Sequence, residues 1–316
     1  MMPIFALKSA DFRPNSLLFG SRIRILLFFE KSQKSIPQGP FFAQFVLFDA
    51  MKTVLTIAGF DPSSGAGITA DLMVFATHRL FGTSAITSLT VQSTLGVRDS
   101  QPVSASLLRE TLACLHEDLP PAGVKIGMLA TEEIVEAVAS YLERLKQESS
   151  QTPVVLDPIL RSSSGRELLS PAGLRCLRER LLPLADWATP NLAELSLLTG
   201  LHVADRNQLE PAARTLQASY PNLNVVATGG HLDQPDDLLL TCGGELHWIA
   251  GERIDSMATH GTGCAFSSAL LSRLVLGDDH LTAVSAAKRY VAEAIRQSAS
   301  IGHGHGPLNH LWPLRR

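Results

Sequence analysis

The sequence predicts an α/β domain built on a mostly parallel sheet with helices on both faces. Three observations carry this. From residue 51 onward, short runs rich in β-branched residues alternate with longer stretches of helical spacing. Most of the runs are apolar nearly throughout, as strands covered on both faces must be. The glycine-rich and polar segments follow the runs, at the C-terminal strand ends where the ligand crevice of such a sheet lies.

Taken in order, "TVLTIAG" (53–59) reads as a buried first strand, and 66–82 as a helix ended by Gly82. "AITSLTVQ" (85–92) is a strand, 105–119 a helix and "GVKIGML" (123–129) a strand. The helix over 131–148 opens with Thr131 and with acids in its first turn, which cap it and complement its dipole. "PVVLDP" (153–158) is a strand stopped by Pro158, and 186–191 and 224–230 are further strands. Residues 237–241 and 245–250 read as a hairpin, and helices near 262–276 and 280–299 finish the chain. The crevice segments are then 59–71, 92–98, 127–130, 157–165, 189–194, 228–231 and 255–264. No internal repeat or linker divides 51–316, which reads as one domain.

Composition narrows the function. With 316 residues, 45% of them hydrophobic, the chain can bury a large core, and a net charge of −3 gives no basic excess for nucleic acid or anionic membranes. Cys114, Cys176, Cys242 and Cys264 form no C-x-x-C pair, so zinc is not expected and a reducing, cytoplasmic setting is.

Residues 1–50 differ in character. Lys8, Arg13, Arg22, Arg24, Lys31 and Lys34 outnumber Asp11, Glu30 and Asp49, and the apolar runs "SLLF", "ILLFF" and "FFAQFVLF" are too short to span a membrane. A basic targeting segment is one reading. The preferred one is a poorly ordered extension ahead of a start at Met51, because "MKTVLTIAG" opens like an ordinary first strand.

Four segments carry candidate chemistry. "AGFDPSSGAGITAD" (58–71) brings Gly59, Gly65 and Gly67 together before a helix, letting backbone approach a ligand closely; an ordinary βα turn would look the same. It lacks the lysine of a phosphate-binding P-loop and the third glycine of a dinucleotide fingerprint. Asp71 beyond it either complements the helix dipole or reaches into the crevice. "THGTGCAFSSALL" (259–271) sets Gly261, Thr262, Gly263 and Cys264 at a helix start, where unpaired N–H groups make an anion site. A thiol held there is expected to have a lowered pKa and to serve as nucleophile or proton acceptor; the plain alternative is a small buried cysteine. In "TPNLAEL" (189–195), Asn191 and Glu194 share a helix face and offer hard oxygen ligands for Mg²⁺ with substrate phosphates, or simply cap the helix. Asp157, ending a strand, is a second magnesium-side carboxylate or a turn residue before proline. The histidines of "IGHGHGPLNH" (301–310) have spacings too unspecific for a metal site.

Together, "LTIAGFDPSSGAGITADL", "TSLTVQSTLGV", "VKIGML", "VVLDP", "LLPLADWATPNLAEL", "TGGHL", "THGTGCAFSSAL" and "GHGHGPLNH" resemble, in the same order, the hydroxymethylpyrimidine and phosphomethylpyrimidine kinases of thiamine biosynthesis. The resemblance covers about residues 51–316. It implies a ribokinase-like three-layer αβα sandwich, ATP with Mg²⁺, and successive phosphorylation of the pyrimidine alcohol and its monophosphate, in a homodimer. By the same resemblance, Gly59, Asp71, Gln92 and Met128 contact the pyrimidine. Asn191, Thr228 and Gly230 lie at the nucleotide, Glu194 and Asp157 at the metal, and Gly261, Thr262, Gly263 and Cys264 form the anion hole and base. Two departures stand out: Ser163 and Thr228 occupy positions where many relatives carry lysine, and Arg161 stands near enough in sequence to compensate for one. A pyridoxal kinase of the same fold is the alternative, and a catalytically weak pyrimidine-binding regulatory domain is the alternative from another class.

Overall fold

In β1 (Thr53–Phe60), Val54 turns to one face of the sheet and Leu55 and Ile57 to the other, and each side meets a separate apolar core. That two-sided burial recurs along the sheet and fixes the architecture. The computed structural model describes residues 51–162, 165–230 and 232–314. The extension 1–50 lies outside the described residues, as does Ser163.

Among the described residues the nine strands are β1, β2 (Phe81–Ser93), β3 (Gly96–Pro102), β4 (Val124–Ile126), β5 (Val154–Leu156), β6 (Trp187–Ala188), β7 (Asn224–Ala227), β8 (Asp237–Leu240) and β9 (Leu246–Ile249). They form one sheet in the order β3-β2-β1-β4-β5-β6-β7-β8-β9. The six strands from β2 to β7 run parallel, and β3, β8 and β9 add antiparallel edges. The helices are α1 (Gly67–Thr77), α2 (Ala105–Asp118), α3 (Glu132–Glu148), α4 (Pro171–Cys176), α5 (Leu192–Thr199), α6 (Arg206–Ser219), α7 (Thr262–Leu276) and α8 (His280–Arg296). One face of the sheet packs Leu108, Leu142, Leu195 and Leu216 of α2, α3, α5 and α6. The other packs Phe75, Leu270 and Val284 of α1, α7 and α8. This is the expected αβα sandwich.

Two local expectations need correction. Gly82 does not end the first helix: α1 stops at Thr77, Arg79 takes a left-handed backbone (φ 60°), and Gly82 already lies in β2. Its missing side chain serves packing, since a Cβ there would lie 2.7 Å from Leu72 and 3.0 Å from Phe75. Residues 92–98 are not simply a crevice loop, because β2 turns back into β3 and pairs with it. β3 reads "GVRDSQP", with no apolar alternation to betray a strand; it is held by its ladder and not by burial.

Among the described residues no helix is long and apolar enough to cross a membrane.

Candidate active site

The two glycine loops pack against each other at the C-terminal edge of the sheet. Gly261 adopts φ 90°, and a Cβ on it would fall 1.9 Å from the Gly65 carbonyl oxygen, so only glycine permits the approach. Asp61 organises the first loop. It accepts from the Ser63 backbone N–H (2.8 Å) and hydroxyl (2.7 Å), from the Ala66 N–H (3.0 Å), and lies 2.7 Å from His260 Nε2 of the second loop. Burial works to raise the Asp61 pKa, but the hydrogen bonds from His260 and Ser63 outweigh it and hold the carboxyl below the usual range. A segment from the far end of the chain closes over both loops. The His260 N–H donates to the Gly306 carbonyl (3.1 Å), the Gly306 N–H to Met257 (3.0 Å), and His310 Nε2 lies 3.0 Å from the Gly65 carbonyl. The tail histidines thus include a structural one, His310, which is buried.

Beneath the loops lies a closed polar cluster. Asp71 is fully buried and accepts from Lys125 Nζ (2.9 Å), the Thr56 hydroxyl (2.6 Å) and the Ser268 hydroxyl (2.8 Å). The expectation that it reaches into the crevice and touches the pyrimidine is therefore corrected: its oxygens are committed to protein donors and it has no surface to offer. Its strongest partner, Lys125 on β4, is itself fully buried. Burial alone would lower the Lys125 pKa, but the neighbouring Asp71, with Cys264 and Asp157, keeps the ammonium charged and raises it above the ordinary lysine value.

Cys264 stands in the first turn of α7. Gly261 precedes that turn without a side-chain cap, and the first return bond is Ala265 N–H to Gly261 O (2.9 Å), so the N–H groups of Thr262, Gly263 and Cys264 have no partner within the helix. That arrangement is the expected anion site. The thiol itself departs from expectation: burial pushes the Cys264 pKa up to about 12 against the pull of Lys125, with Asp71 and Asp157 adding to the rise. Burial disfavours the thiolate more than the helix start and Lys125 favour it, and two carboxylates crowd it besides.

On the other side of α7, Asp157 at the end of β5 accepts from the Ser267 hydroxyl (3.2 Å), and its Oδ2 would lie 3.5 Å from a Cβ built on Gly263. Burial raises the Asp157 pKa against the pull of Lys125. Asn191 and Glu194 form a reciprocal cap on α5: the Glu194 N–H donates to Asn191 Oδ1 (3.0 Å) and the Asn191 N–H to Glu194 Oε2 (2.9 Å). Glu194 is buried, and burial followed by the Asp157 charge pushes its pKa up. Among the described residues no group of three or more metal-ligating side chains converges. Thr228 follows β7, with its N–H donating to the Pro190 carbonyl (2.9 Å) and bridging to Asn191, while Gly230 faces open space and Arg161 is exposed.

At the sheet's other end, Gly59 abuts Met128, whose sulfur would sit 3.0 Å from a Cβ at Gly59. Gln92 Nε2 lies 3.0 Å from His260 Nε2. The structure thus brings Gly59, Met128 and Gln92 to the β1–β2 side of the crevice, and Asp157, Asn191, Glu194, Thr228 and Gly230 to the β5–β7 side, with α7 between. Sequence reasoning missed Lys125, Asp61 and His260. The available signal for Lys125 was a lysine inside an apolar strand, a placement that burial forbids without a partner.

Comparison with known proteins agrees with this geometry. A family model described as phosphomethylpyrimidine kinase matches residues 61–309. The hydroxymethylpyrimidine/phosphomethylpyrimidine kinase of Haemophilus influenzae is 40% identical over 271 residues, covering 84% of this chain and 98% of that one. Among solved structures, the phosphomethylpyrimidine kinase of Clostridium difficile superposes with a TM-score of 0.67 at 33% identity, covering 77% of this chain and 99% of that chain. The pyridoxal kinase of Staphylococcus aureus in complex with ADP gives a TM-score of 0.75 at 30% identity, covering 84% and 96%.

Proposed function

The chain belongs to the phosphomethylpyrimidine kinase family, and from that premise we propose how its residues divide the work. The activity is phosphoryl transfer from ATP to hydroxymethylpyrimidine and then to its monophosphate, in thiamine biosynthesis. The observation that carries the division is the start of α7: unpaired backbone N–H groups and a cysteine, set between the Gln92 side and the Asp157 side.

On the acceptor side, Gln92 pairs with the aminopyrimidine edge, while Gly59 and Met128 bound the ring. The hydroxymethyl group then points toward Cys264. Phosphoryl transfer has a loose transition state, so most of the catalysis is positioning and charge stabilisation. The N–H groups of Thr262, Gly263 and Cys264, presented by the turn at Gly261, supply that stabilisation to the transferring group. Cys264 accepts the alcohol proton.

On the nucleotide side, Asn191, Thr228 and Gly230 border the phosphates. Asp157 and Glu194 suit Mg²⁺ bound partly through water, because both are buried carboxylates with raised pKa values and gain from a cation. The metal would neutralise phosphate and carboxylate charge together. Burial is the larger reason the Cys264 pKa is raised, and balancing Asp157 would remove one of the two carboxylate contributions that add to it. Lys125 and the α7 start pull the thiol the other way.

We assign this kinase domain to residues 51–316, in a cytoplasmic homodimer with reduced thiols. Removing residues 1–50 should leave turnover unchanged. Pyridoxal phosphorylation is the second reading, favoured by the likeness to pyridoxal kinases. Measuring ATP-dependent phosphorylation of hydroxymethylpyrimidine, its monophosphate and pyridoxal side by side tests both. A kcat/KM for pyridoxal above that for the pyrimidines would reverse the order.

A further inference from the structure

Gln92 touches more than a substrate could explain. Its amide lies between two fixed groups: Nε2 is 3.0 Å from His260 Nε2, and Oε1 is 3.2 Å from Thr90 Oγ1. His260 Nε2 is also 2.7 Å from Asp61 Oδ2. With the amide oriented this way, the hydrogens do not suffice. If His260 Nε2 carries a proton, it serves the carboxylate and meets an amide nitrogen that has no lone pair to offer. If it carries none, a bare lone pair faces a carboxylate. The Thr90 hydroxyl has one hydrogen, donated to the Phe60 carbonyl (2.9 Å), and none left for Gln92.

Exchanging the amide oxygen and nitrogen, which have the same shape, removes both conflicts. His260 Nε2–H is then shared between Asp61 Oδ2 and the Gln92 oxygen. The Gln92 nitrogen donates to Thr90, and Thr90 donates to Phe60. One amide N–H and one lone pair remain for a ligand. The imidazole is held by Asp61, which is itself anchored by Ser63 and Ala66, and its ring packs closely over Gly65, where a Cβ would fall 2.2 Å from it.

We propose that His260 is a positioning residue for the acceptor: by donating Nε2–H to the Gln92 carbonyl, it locks the amide so that one donor and one acceptor face the aminopyrimidine edge. The locked donor and acceptor match the amino group and ring nitrogen of the pyrimidine edge together, whereas a single ring hydroxyl, as in pyridoxal, has one oxygen to set against the pair, so the lock also favours the amino-substituted ring. The proposal rests on Gln92 being a pyrimidine contact.

A kinetic double-mutant cycle tests it. The wild-type chain phosphorylating hydroxymethylpyrimidine is the control that keeps a failure here apart from a failure of the assigned activity. Gln92→Ala should raise KM for the pyrimidine about 5–10-fold, the effect of one or two neutral hydrogen bonds. His260→Ala should raise the same KM about 3–10-fold with KM for ATP unchanged, and should narrow the preference for the pyrimidine over pyridoxal. In the Gln92→Ala background it should add less than about twofold. His260→Gln, which keeps an N–H donor at similar reach, should restore KM. If His260→Ala fails to fold, His260→Asn, whose amide stops short of Gln92, gives the same comparison. Equal fold-losses in both backgrounds, or lost kcat with pyrimidine KM unchanged, would overturn the proposal and leave His260 as a loop-packing residue. An unchanged KM in Gln92→Ala would overturn it together with the pyrimidine role of Gln92.

Discussion

Asp71 and Asp157 are both buried beside the start of α7, yet only one is balanced. Asp71 has Lys125 Nζ at 2.9 Å and two hydroxyl donors; Asp157 has a single hydroxyl at 3.2 Å, feels Lys125 only beyond ion-pair distance, and has the charge of Glu194 for company. The acceptor half of the crevice is electrostatically complete before any substrate arrives. The half assigned to the phosphates is not. The chain has spent its buried cation on holding one side rigid, and leaves the other side's balance to what binds.

The first way to break this contrast is to remove the cation from the balanced side. Lys125→Met leaves Asp71 buried with no counter-charge, and should cost about 3–5 kcal/mol of stability, read by urea denaturation. A loss under about 1 kcal/mol would mean that Thr56 and Ser268 suffice, and that the two halves differ less than their geometry implies.

Cys264 lies between the halves and responds to both. Cys264→Ala should lower kcat at least ~10²-fold with little change in either KM. Near-wild-type turnover would reduce the thiol to packing.

The unbalanced side should show itself in pH dependence. Burial first, then the Asp157 charge, raises the Glu194 pKa in the folded state above its unfolded value. The folded chain therefore binds more protons over that interval, and the contribution to stability falls as pH rises from the ordinary carboxylate range toward neutrality. The slope is at most about 1.4 kcal/mol per pH unit for one group. Glu194→Gln should flatten the fall in melting temperature measured without divalent cations, and Mg²⁺ should flatten it in the wild type. Parallel profiles in wild type and variant would show that Glu194 carries no such strain.

The smallest expected effect comes from adding charge. Thr228→Lys should lower KM for ATP about fivefold, below the usual range for a charge-assisted bond because the position is partly exposed. No change would place the β-phosphate side away from Thr228.

The order of elements, the two-sided core and the glycine loops were legible because each leaves a local mark: apolar runs, capping residues, glycines before helices. The Asn191–Glu194 cap was legible for the same reason. The cluster that sets the chemistry left none. Lys125 and Asp71 are 54 positions apart, Gln92 and His260 are 168 apart, and Asp61 and His260 are 199 apart, so no local pattern joins them. The raised Cys264 pKa was hidden likewise, because the helix start is local whereas the burial that raises the thiol, and the carboxylates from α1 and the end of β5 that add to it, come from the tertiary fold. β3 escaped because a polar edge strand is defined by its partner, not by its own residues.

The hydrogen bond from His310 to Gly65 spans 245 positions. On a ribosome adding roughly 5–20 residues per second, the partner of that early loop emerges roughly 12–50 seconds after the loop does. The parallel strands can pair and bury their faces during that interval, but the two glycine loops lack their support from Gly306 and His310 until those residues are made. Competence to bind would then wait for His310, and a nascent chain stalled short of residue 300 would carry a complete sheet with an unset pocket.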